Sequence, residues 1–121
     1  MSERKASILV IDDESIVQES CRRILAPEGY AVESAYTGQE GLGKLAESSY
    51  DLVITDLKMP GISGMEALKK IKHDDPDIGI IMITGYSTAE TAVEAMKLGA
   101  FDYLPKPFTP DELMAAVSKA L

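Results

Sequence analysis

Residues 52–61 have the sequence LVITDLKMPG, and this stretch decides the fold. A short run of apolar and β-branched residues ends on the carboxylate of Asp56, and Pro60 and Gly61 then turn the chain. A strand that is apolar at nearly every position is typical of a parallel sheet covered on both faces. We therefore predict a buried strand over 52–55 that places Asp56 at the rim of a sheet.

Four more apolar or alternating runs predict four more strands, at 8–11, 30–35, 78–84 and near 101–104. The run at 30–35 alternates only weakly, which favours an edge strand with one less buried face.

Helical signals lie between the predicted strands. The first helix spans residues 15 to about 26, because apolar side chains recur there at helical spacing and Pro27 and Gly29 then end it. Its apolar stripe consists of Ile16, Val17, Cys21, Ile24 and Leu25. Four further helix starts carry the capping-box pattern S/T-x-x-E, at Thr37, Ser63, Ser87 and Thr109. Gly99 suits the left-handed residue that ends the fourth helix.

The alternation of five strands with five helices predicts a three-layer α/β fold, in which a parallel sheet is coated by helices on both faces through right-handed crossovers. A chain of 121 residues is large enough to bury a core without disulfides or metal staples. We expect a single domain over 1–121 with a polar tail at 1–6 and no output domain within the chain.

The charge balance narrows the choice of partners. The chain has 12 Lys and Arg and 20 Asp and Glu residues, and its formal net charge of −8 argues against binding of nucleic acid or an anionic membrane by this segment. Cys21 is the only cysteine, so no disulfide is expected. The N-terminus is too short and polar for a signal peptide, and no apolar run approaches the roughly 18 residues of a membrane helix. These features predict a soluble, cytoplasmic protein.

Polar side chains follow the predicted strands and should gather at one edge, because ligands of such folds bind outside the carboxyl ends of the strands. They are Asp12, Asp13 and Glu14 after the first strand, Asp56 after the third, Thr84 after the fourth and Lys106 after the fifth. Clustered carboxylates repel one another unless a cation neutralises them. Their oxygens suit Mg²⁺ with a sparse, water-retaining shell better than Ca²⁺, and the lack of His and Cys at the rim disfavours Zn²⁺.

One lysine and one hydroxyl group beside such a metal site suit a phosphoryl group. Lys106 and the cation would offset its charge, and Thr84 would donate a hydrogen bond to it. Asp56, at the end of its strand, is then the nucleophile that forms an acyl phosphate.

Five landmarks occur in a recognisable order: Asp12-Asp13, Asp56, the 59–61 turn, Thr84-Gly85 and the 106–108 segment. Together they resemble the receiver domain of two-component response regulators over essentially the whole chain. The resemblance implies a flavodoxin-like (CheY-like) fold, with a five-stranded parallel sheet of order 2-1-3-4-5 and five helices.

The resemblance also implies the chemistry of the site. Asp56 would accept a phosphoryl group from the phosphohistidine of a sensor histidine kinase in a reaction that depends on Mg²⁺, for which Mn²⁺ can substitute. The implied metal ligands are Asp12, Asp13, Asp56 and the backbone carbonyl of Lys58. The peptide bond between Lys106 and Pro107 is expected in the cis form, which is uncommon among X-Pro bonds in general.

A switch is implied as well. Thr84 and Lys106 would grip the phosphoryl group, and Tyr103 would rotate inward into the space that Thr84 leaves. The surface formed by the fourth helix, the fifth strand and the fifth helix would change as a result. Lys58 and Tyr86 occupy positions that in this family modulate the loss of the phosphoryl group to water.

Residues 84–108 look most like receivers of the nitrogen-regulation type, which precede an ATPase that activates an alternative sigma factor. The implied function is a phosphorylation-dependent switch that controls an output domain or partner in transcription regulation. It includes slow autodephosphorylation but no turnover of an external substrate. A phosphorylation-dependent homodimer formed through the fourth and fifth helices is a further hypothesis. A stand-alone or kinase-linked receiver that acts by protein docking stays open.

Two rival functions share parts of this pattern. A flavin-binding module of the same fold should have a phosphate loop rich in Gly, Ser or Thr after the first strand, whereas this chain has three acids there. An aspartate-nucleophile phosphohydrolase resembles a pattern with a second acid two residues after the nucleophile, where this chain has Lys58. His73 lies at the polar end of the third helix and is interpreted as solvent-facing rather than as a phosphorelay histidine.

Overall fold

The computed structural model describes residues 6–59, 61–85 and 88–121. Within these residues the strands are β1 (Ser7–Ile11), β2 (Ala31–Ala35), β3 (Leu52–Asp56), β4 (Gly79–Thr84) and β5 (Asp102–Pro105). The helices are α1 (Ser15–Leu25), α2 (Gly38–Glu47), α3 (Gly64–Asp74), α4 (Ala89–Lys97) and α5 (Pro110–Ala120). A short 3-10 helix, Ala26–Glu28, follows α1. Every predicted strand and helix is present, with boundaries that differ by about one residue, as expected for element ends.

The strands form one parallel sheet in the order β2-β1-β3-β4-β5, which confirms the order implied by the resemblance. β3 lies between β1 and β4 and is buried at every position, so its apolar sequence matches its place. β2 lies at an edge and is mostly exposed or half-buried, which confirms the edge-strand prediction. The register sets Ile11 beside Thr55 and Asp56 beside Ile83, so the carboxyl ends of β1, β3 and β4 lie next to one another.

Side chains that alternate along the strands fill two separate cores, one on each face of the sheet. On one face, residues such as Leu9, Val53 and Met82 pack with Leu68 of α3 and Ala95 of α4. The other face packs α1 and α5 through the buried residues Ile8, Val10, Ile54, Ile81, Cys21, Leu25, Leu113 and Val117. The sheet with helices on both faces is the three-layer α/β architecture that the alternation of elements predicts.

The helix starts agree with the capping signals, with one correction. The side chains of Thr37, Ser63 and Thr109 each accept a hydrogen bond from the backbone N–H three residues on, as predicted. The prediction that Ser87 caps α4 is wrong, because the N-cap residue is Thr88. Thr88 forms a reciprocal box with Thr91, whose hydroxyl group accepts a hydrogen bond from the backbone N–H of Thr88 and so takes the role expected for an acidic side chain.

The buried face of α1 differs from its predicted apolar stripe. Ile16 is 70% exposed, whereas Gln18 is 2% exposed and lies on the face that carries Val17 and Cys21. A helix turns about 100° per residue, so position 16 lies roughly 150° from the centre of a face formed by positions 17 and 18, on the side that faces solvent. Cys21 is buried as predicted, and burial raises the pKa of its thiol to about 12.

Two helix ends use glycine in the left-handed region. Gly29 has φ 95° after the 3-10 helix, and Gly99 has φ 108° after α4, in agreement with the sequence prediction. No helix in the described part of the chain is both long and apolar enough to cross a membrane.

Candidate functional site

The carboxyl ends of neighbouring strands bring the predicted polar residues to one edge of the sheet. Asp56 is the last residue of β3, and Asp12 and Asp13 follow β1, the strand that pairs with β3. Lys106 follows β5, and its backbone N–H donates to the carbonyl oxygen of Thr84 at the end of β4, at 2.8 Å. Four separate strands therefore deliver their terminal residues to the same rim.

Asp12, Asp13 and Asp56 form what we call the acidic cluster. One carboxylate oxygen of each lies within 4.8 Å of the others. Asp12 is 0% exposed and Asp56 is 5% exposed, whereas Asp13 is exposed. Ionised carboxylates at this separation repel one another, and burial strengthens the repulsion because less water screens it.

The ammonium group of Lys106 enters the acidic cluster. Its Nζ lies 2.9 Å from Asp12 Oδ2 and donates to Asp56 Oδ2 at 3.1 Å. It also donates to Oε1 of Glu14, at the mouth of the site, at 2.8 Å. The contact with Asp12 is an ion pair without the angles of a directed hydrogen bond. The Lys106–Pro107 peptide bond is cis, as the resemblance implies.

Burial and neighbouring charges shift the pKa values of two of these groups. Burial raises the pKa of Asp12, although a backbone hydrogen bond from Glu14 and the ammonium group of Lys106 oppose the shift. Burial lowers the pKa of Lys106, but its contacts with Glu14, Asp12 and Asp56 outweigh burial and raise the pKa above its ordinary value. These contacts favour the charged form of Lys106, whereas ionisation of Asp12 is less favourable in the folded protein than in water.

The arrangement fits a hard divalent cation. Asp12 Oδ1 accepts from the N–H of Glu14 at 2.9 Å, and Asp56 Oδ1 accepts from the N–H of Leu57 at 2.7 Å. Each buried acid thus uses one oxygen to hold the backbone and has the other available for the cluster. Asp12 Oδ2 is buried and makes no directed hydrogen bond within the described residues. The clustered donors are carboxylate oxygens, which Mg²⁺ prefers.

Comparison with known families decides what this site belongs to. Residues 8–118 match the family described as response regulator receiver domain. The chain belongs to this family. Receiver domains bind Mg²⁺ at an acidic pocket, and the acidic cluster of this receiver domain has the position and composition of such a pocket.

Similar proteins point to the nitrogen-regulation type. The chain is 41% identical over 121 residues to the transcriptional regulatory protein ZraR of Klebsiella oxytoca and covers 27% of it. It is 38% identical over 118 residues to the DNA-binding transcriptional regulator NtrC of Salmonella typhimurium and covers 25% of it. The receiver domain thus spans about a quarter of the length of these relatives.

A solved structure of a response regulator supports the assignment of the fold. TrrA of Thermotoga maritima, in complex with Mg²⁺-BeF, superposes with a TM-score of 0.88 at 39% sequence identity, and the match covers 97% of this chain and all of TrrA. The CheY-like fold implied by the sequence motifs is therefore shown.

The remaining predicted residues of this receiver domain lie at different distances from the cluster. Thr84 is fully buried at the end of β4. Tyr103 is half-buried, and its hydroxyl group shares a hydrogen bond of 2.8 Å with Oγ1 of Thr91 in α4. Lys58 is exposed in the loop after β3. The prediction for Tyr86 and the Pro60 of the turn motif lie outside the described residues.

Two residues with structural links to the site were not predicted. Gln18 is buried in α1 and its side-chain amide binds backbone carbonyl groups at the ends of β1 and β2. Its spacing with Cys21 and Leu25 places it on the apolar stripe, and a polar residue there is the signal that could have identified it. Thr91 connects Tyr103 to the N-terminus of α4, and no sequence pattern indicates that long-range contact.

Proposed function

We propose that this receiver domain accepts a phosphoryl group on Asp56 from the phosphohistidine of a sensor histidine kinase, in a reaction that depends on Mg²⁺. The observation that carries the proposal is the environment of the Asp56 carboxylate at the end of β3. It lies within the acidic cluster, and Lys106 Nζ donates to it at 3.1 Å. A nucleophilic carboxylate, a fixed cation and a set of metal-binding oxygens are the parts that phosphoryl transfer to an aspartate requires.

The acidic cluster would bind the metal ion, and Asp56 would also be the nucleophile. Mg²⁺ would be held by Asp12, Asp13, Asp56 and the backbone carbonyl of Lys58. When bound, the ion neutralises the acidic cluster and the charge of the incoming phosphoryl group. An oxygen of Asp56 attacks the phosphorus and an O–P bond forms. The N–P bond of the phosphohistidine breaks, and the imidazole nitrogen leaves with the electron pair.

Lys106 and Thr84 would bind the transferred group. Lys106 is held charged by its acidic neighbours, so it can offset the negative charge that the phosphoryl oxygens carry. Thr84 ends β4, and its hydroxyl group would donate to a phosphoryl oxygen. The backbone hydrogen bond from Lys106 to Thr84 supports a common position for both groups at the rim.

A groove beside the acidic cluster supports a protein as the phosphoryl donor. It has a volume of about 390 Å³ and is lined by Ile16 and Phe108 among others, with Lys106 at the site end. The 70% exposure of Ile16 places an apolar contact next to a charged reaction centre. Exposed apolar surface of this kind is typical of protein contact sites.

We propose that the signal leaves the site through Tyr103. The register pairs Tyr103 in β5 with Met82 in β4, and Met82 lies two residues before Thr84 in the same strand. A movement of Thr84 would therefore change the packing beside the Tyr103 ring. The Tyr103 hydroxyl contacts Thr91 in α4, so inward rotation of the ring would break that contact. The surface of α4, β5 and α5 would change and control an output domain or partner, with homodimer formation through α4 and α5 as one outcome.

Transcription regulation is the proposed output. ZraR and NtrC are named as transcription regulators, and the receiver domain spans about a quarter of each. We therefore infer that 1–121 is one receiver domain that can serve a longer regulator, with Lys58 and Tyr86 setting the lifetime of its acyl phosphate. A stand-alone receiver would act through the same surface of α4, β5 and α5. A phosphohydrolase would be favoured only if the protein turned over an external phosphate ester.

The test is the intact mass of the protein after incubation with acetyl phosphate, with Mg²⁺ or with a chelator. The parent should gain one phosphoryl group only with Mg²⁺, Asp56→Ala should gain none, and Asp51→Ala, at the other edge of the sheet, should behave as the parent. If the parent protein shows no adduct, it is incubated with beryllofluoride. This compound mimics the acyl phosphate, and its binding does not depend on the lifetime of the phosphoryl group on Asp56. Failure to bind it with Mg²⁺ would overturn the proposed function.

A further inference from the structure

Gln18 has an unusual set of partners for a residue in the middle of a helix. Its side chain is 2% exposed. The amide nitrogen donates to the carbonyl oxygens of Val10 at 3.0 Å, Asp12 at 3.1 Å and Ala35 at 2.9 Å. An amide group has two N–H bonds, so two of these three acceptors share one of them.

These contacts hold both peptide planes that flank Asp12. The backbone N–H of Asp12 donates to the carbonyl oxygen of Ala35 at 3.0 Å, and Gln18 binds that same oxygen. The carbonyl of Asp12 lies in one rigid plane with the N–H of Asp13, because the peptide bond does not rotate. By holding that carbonyl, Gln18 sets the orientation of the peptide unit that joins the two acids.

The two polar atoms of the Gln18 side chain differ in their hydrogen bonds, because only Nε2 is paired. Oε1 is buried and has no hydrogen-bond partner among the described residues. Reversal of the amide would direct Oε1 toward three carbonyl oxygens, so the hydrogen-bond network decides the orientation. Gln18 therefore binds the backbone carbonyl groups at the end of β1 even though its own Oε1 has no partner among the described residues.

We infer that Gln18 is a positioning residue for the metal site. It touches neither the reacting atoms nor the cation, and it acts through the backbone of Asp12 and Asp13, two members of the acidic cluster. The inference rests on the proposed Mg²⁺ site and adds to it a residue from α1 that lies behind the cluster. Residues that orient metal ligands in this way commonly change metal affinity by roughly 10- to 100-fold when they are substituted.

The test compares Gln18→Met with Cys21→Ala. Methionine matches glutamine in length and removes the amide donors, whereas Cys21 is a fully buried residue of the same helix without a polar contact to the cluster backbone. Two quantities are measured for each variant: the free energy of unfolding in urea and the dissociation constant of Mg²⁺ by isothermal titration calorimetry. Gln18→Asn, which keeps an amide on a shorter side chain, serves if Gln18→Met does not fold.

Both variants should lose stability, but only Gln18→Met should bind Mg²⁺ more weakly, by roughly 10- to 100-fold. The amide resonances of Asp12 and Asp13 should shift in Gln18→Met even before Mg²⁺ is added. Equal Mg²⁺ affinity in Gln18→Met and Cys21→Ala would overturn the positioning role and leave the metal site intact. A parent protein that does not bind Mg²⁺ would overturn the metal site itself and this role with it.

Discussion

The amino and carboxyl ends of the parallel strands differ in how their ionisable side chains are paired. At the amino ends of the strands, two charged side chains bind neutral backbone groups. Asp51 Oδ2 accepts from the backbone N–H of Ser7 at 2.8 Å. Lys72 Nζ donates to the carbonyl oxygens of Pro76 at 2.9 Å and Ile78 at 2.6 Å, and so closes the loop before β4. Charge-assisted hydrogen bonds of this kind are stronger than neutral ones and add to stability.

At the carboxyl ends of the strands, like charges lie close together. Asp12 and Asp56 are buried, and Asp13 lies beside them. The ammonium group of Lys106 is shared by Asp12, Asp56 and Glu14. Such an arrangement costs folding free energy until a cation neutralises it. Charged side chains at the amino ends of the strands thus support the fold, whereas those at the carboxyl ends form the site for which we propose metal binding and phosphoryl transfer.

The largest expected effect comes from exchanging the two lysines for methionine. Lys106→Met should slow phosphorylation of Asp56 by acetyl phosphate by about 10²- to 10³-fold, because a fixed cation aimed at the phosphoryl oxygens is lost. Lys72→Met should lower the free energy of unfolding by about 1–2 kcal/mol, because two carbonyl groups lose a charged donor. Phosphorylation is followed by intact mass and stability by urea unfolding.

Lys72→Met is the control for the rate of phosphorylation and should react at the rate of the parent. Lys106→Met should also lose stability, because the acidic cluster loses the ammonium group that partly neutralises it, so the rate and not the stability distinguishes the two variants. A slow Lys72→Met variant that is fully folded would break the division between the two edges.

A second pair of variants tests the acids. Asp12→Asn should raise the free energy of unfolding without Mg²⁺ by about 1 kcal/mol, because a buried like charge disappears. Added Mg²⁺ should no longer stabilise this variant, since a ligand is gone. Asp51→Asn should lower the free energy of unfolding by about 1 kcal/mol and keep the full Mg²⁺ response. Thermal and urea unfolding with and without Mg²⁺ measure both effects.

The pH dependence of stability sharpens the same comparison. Burial raises the pKa of Asp12 above its ordinary value of 3.8, so the folded protein binds this proton more tightly than the unfolded chain. Its contribution is therefore fully present below that value and is lost as the pH rises through the folded pKa. In urea unfolding without Mg²⁺, the decline should be present in the parent and in Asp51→Asn. An equal decline in Asp12→Asn would show that another group causes it.

The smallest expected effect concerns the switch contact. Thr91→Val removes the hydroxyl group bound to Tyr103, so inward rotation of the ring should cost less free energy. Beryllofluoride should then bind roughly 2- to 10-fold more tightly, the equivalent of one neutral hydrogen bond. Thr88→Ala weakens the cap of α4 without removing the Tyr103 contact and should leave this affinity unchanged. Titrations followed by tyrosine fluorescence compare the three proteins.

Local signals in the sequence determined much of this domain. Apolar runs located the strands, and Thr37, Thr109 and Gly99 marked helix ends, because capping and left-handed turns depend on neighbouring residues. The carboxyl ends of parallel strands meet on one side of the sheet, so the sequence alone predicts that Asp56 and Lys106 share this rim, although they lie 50 residues apart. The strand order itself followed from the resemblance to receiver domains and not from the pattern of apolar residues.

Tertiary structure decided the rest, because periodicity shows which residues share a helix face but not which face is covered. α5 and the sheet cover the face of α1 that carries Gln18 and leave Ile16 exposed. Thr88 caps α4 in place of Ser87 because the hydroxyl group of Thr91 reaches back to its N–H, an interaction that the S/T-x-x-E pattern does not include. The sequence alone thus determined the strands and the acids at their ends, whereas packing across the sheet decided which side chains hold those acids in place.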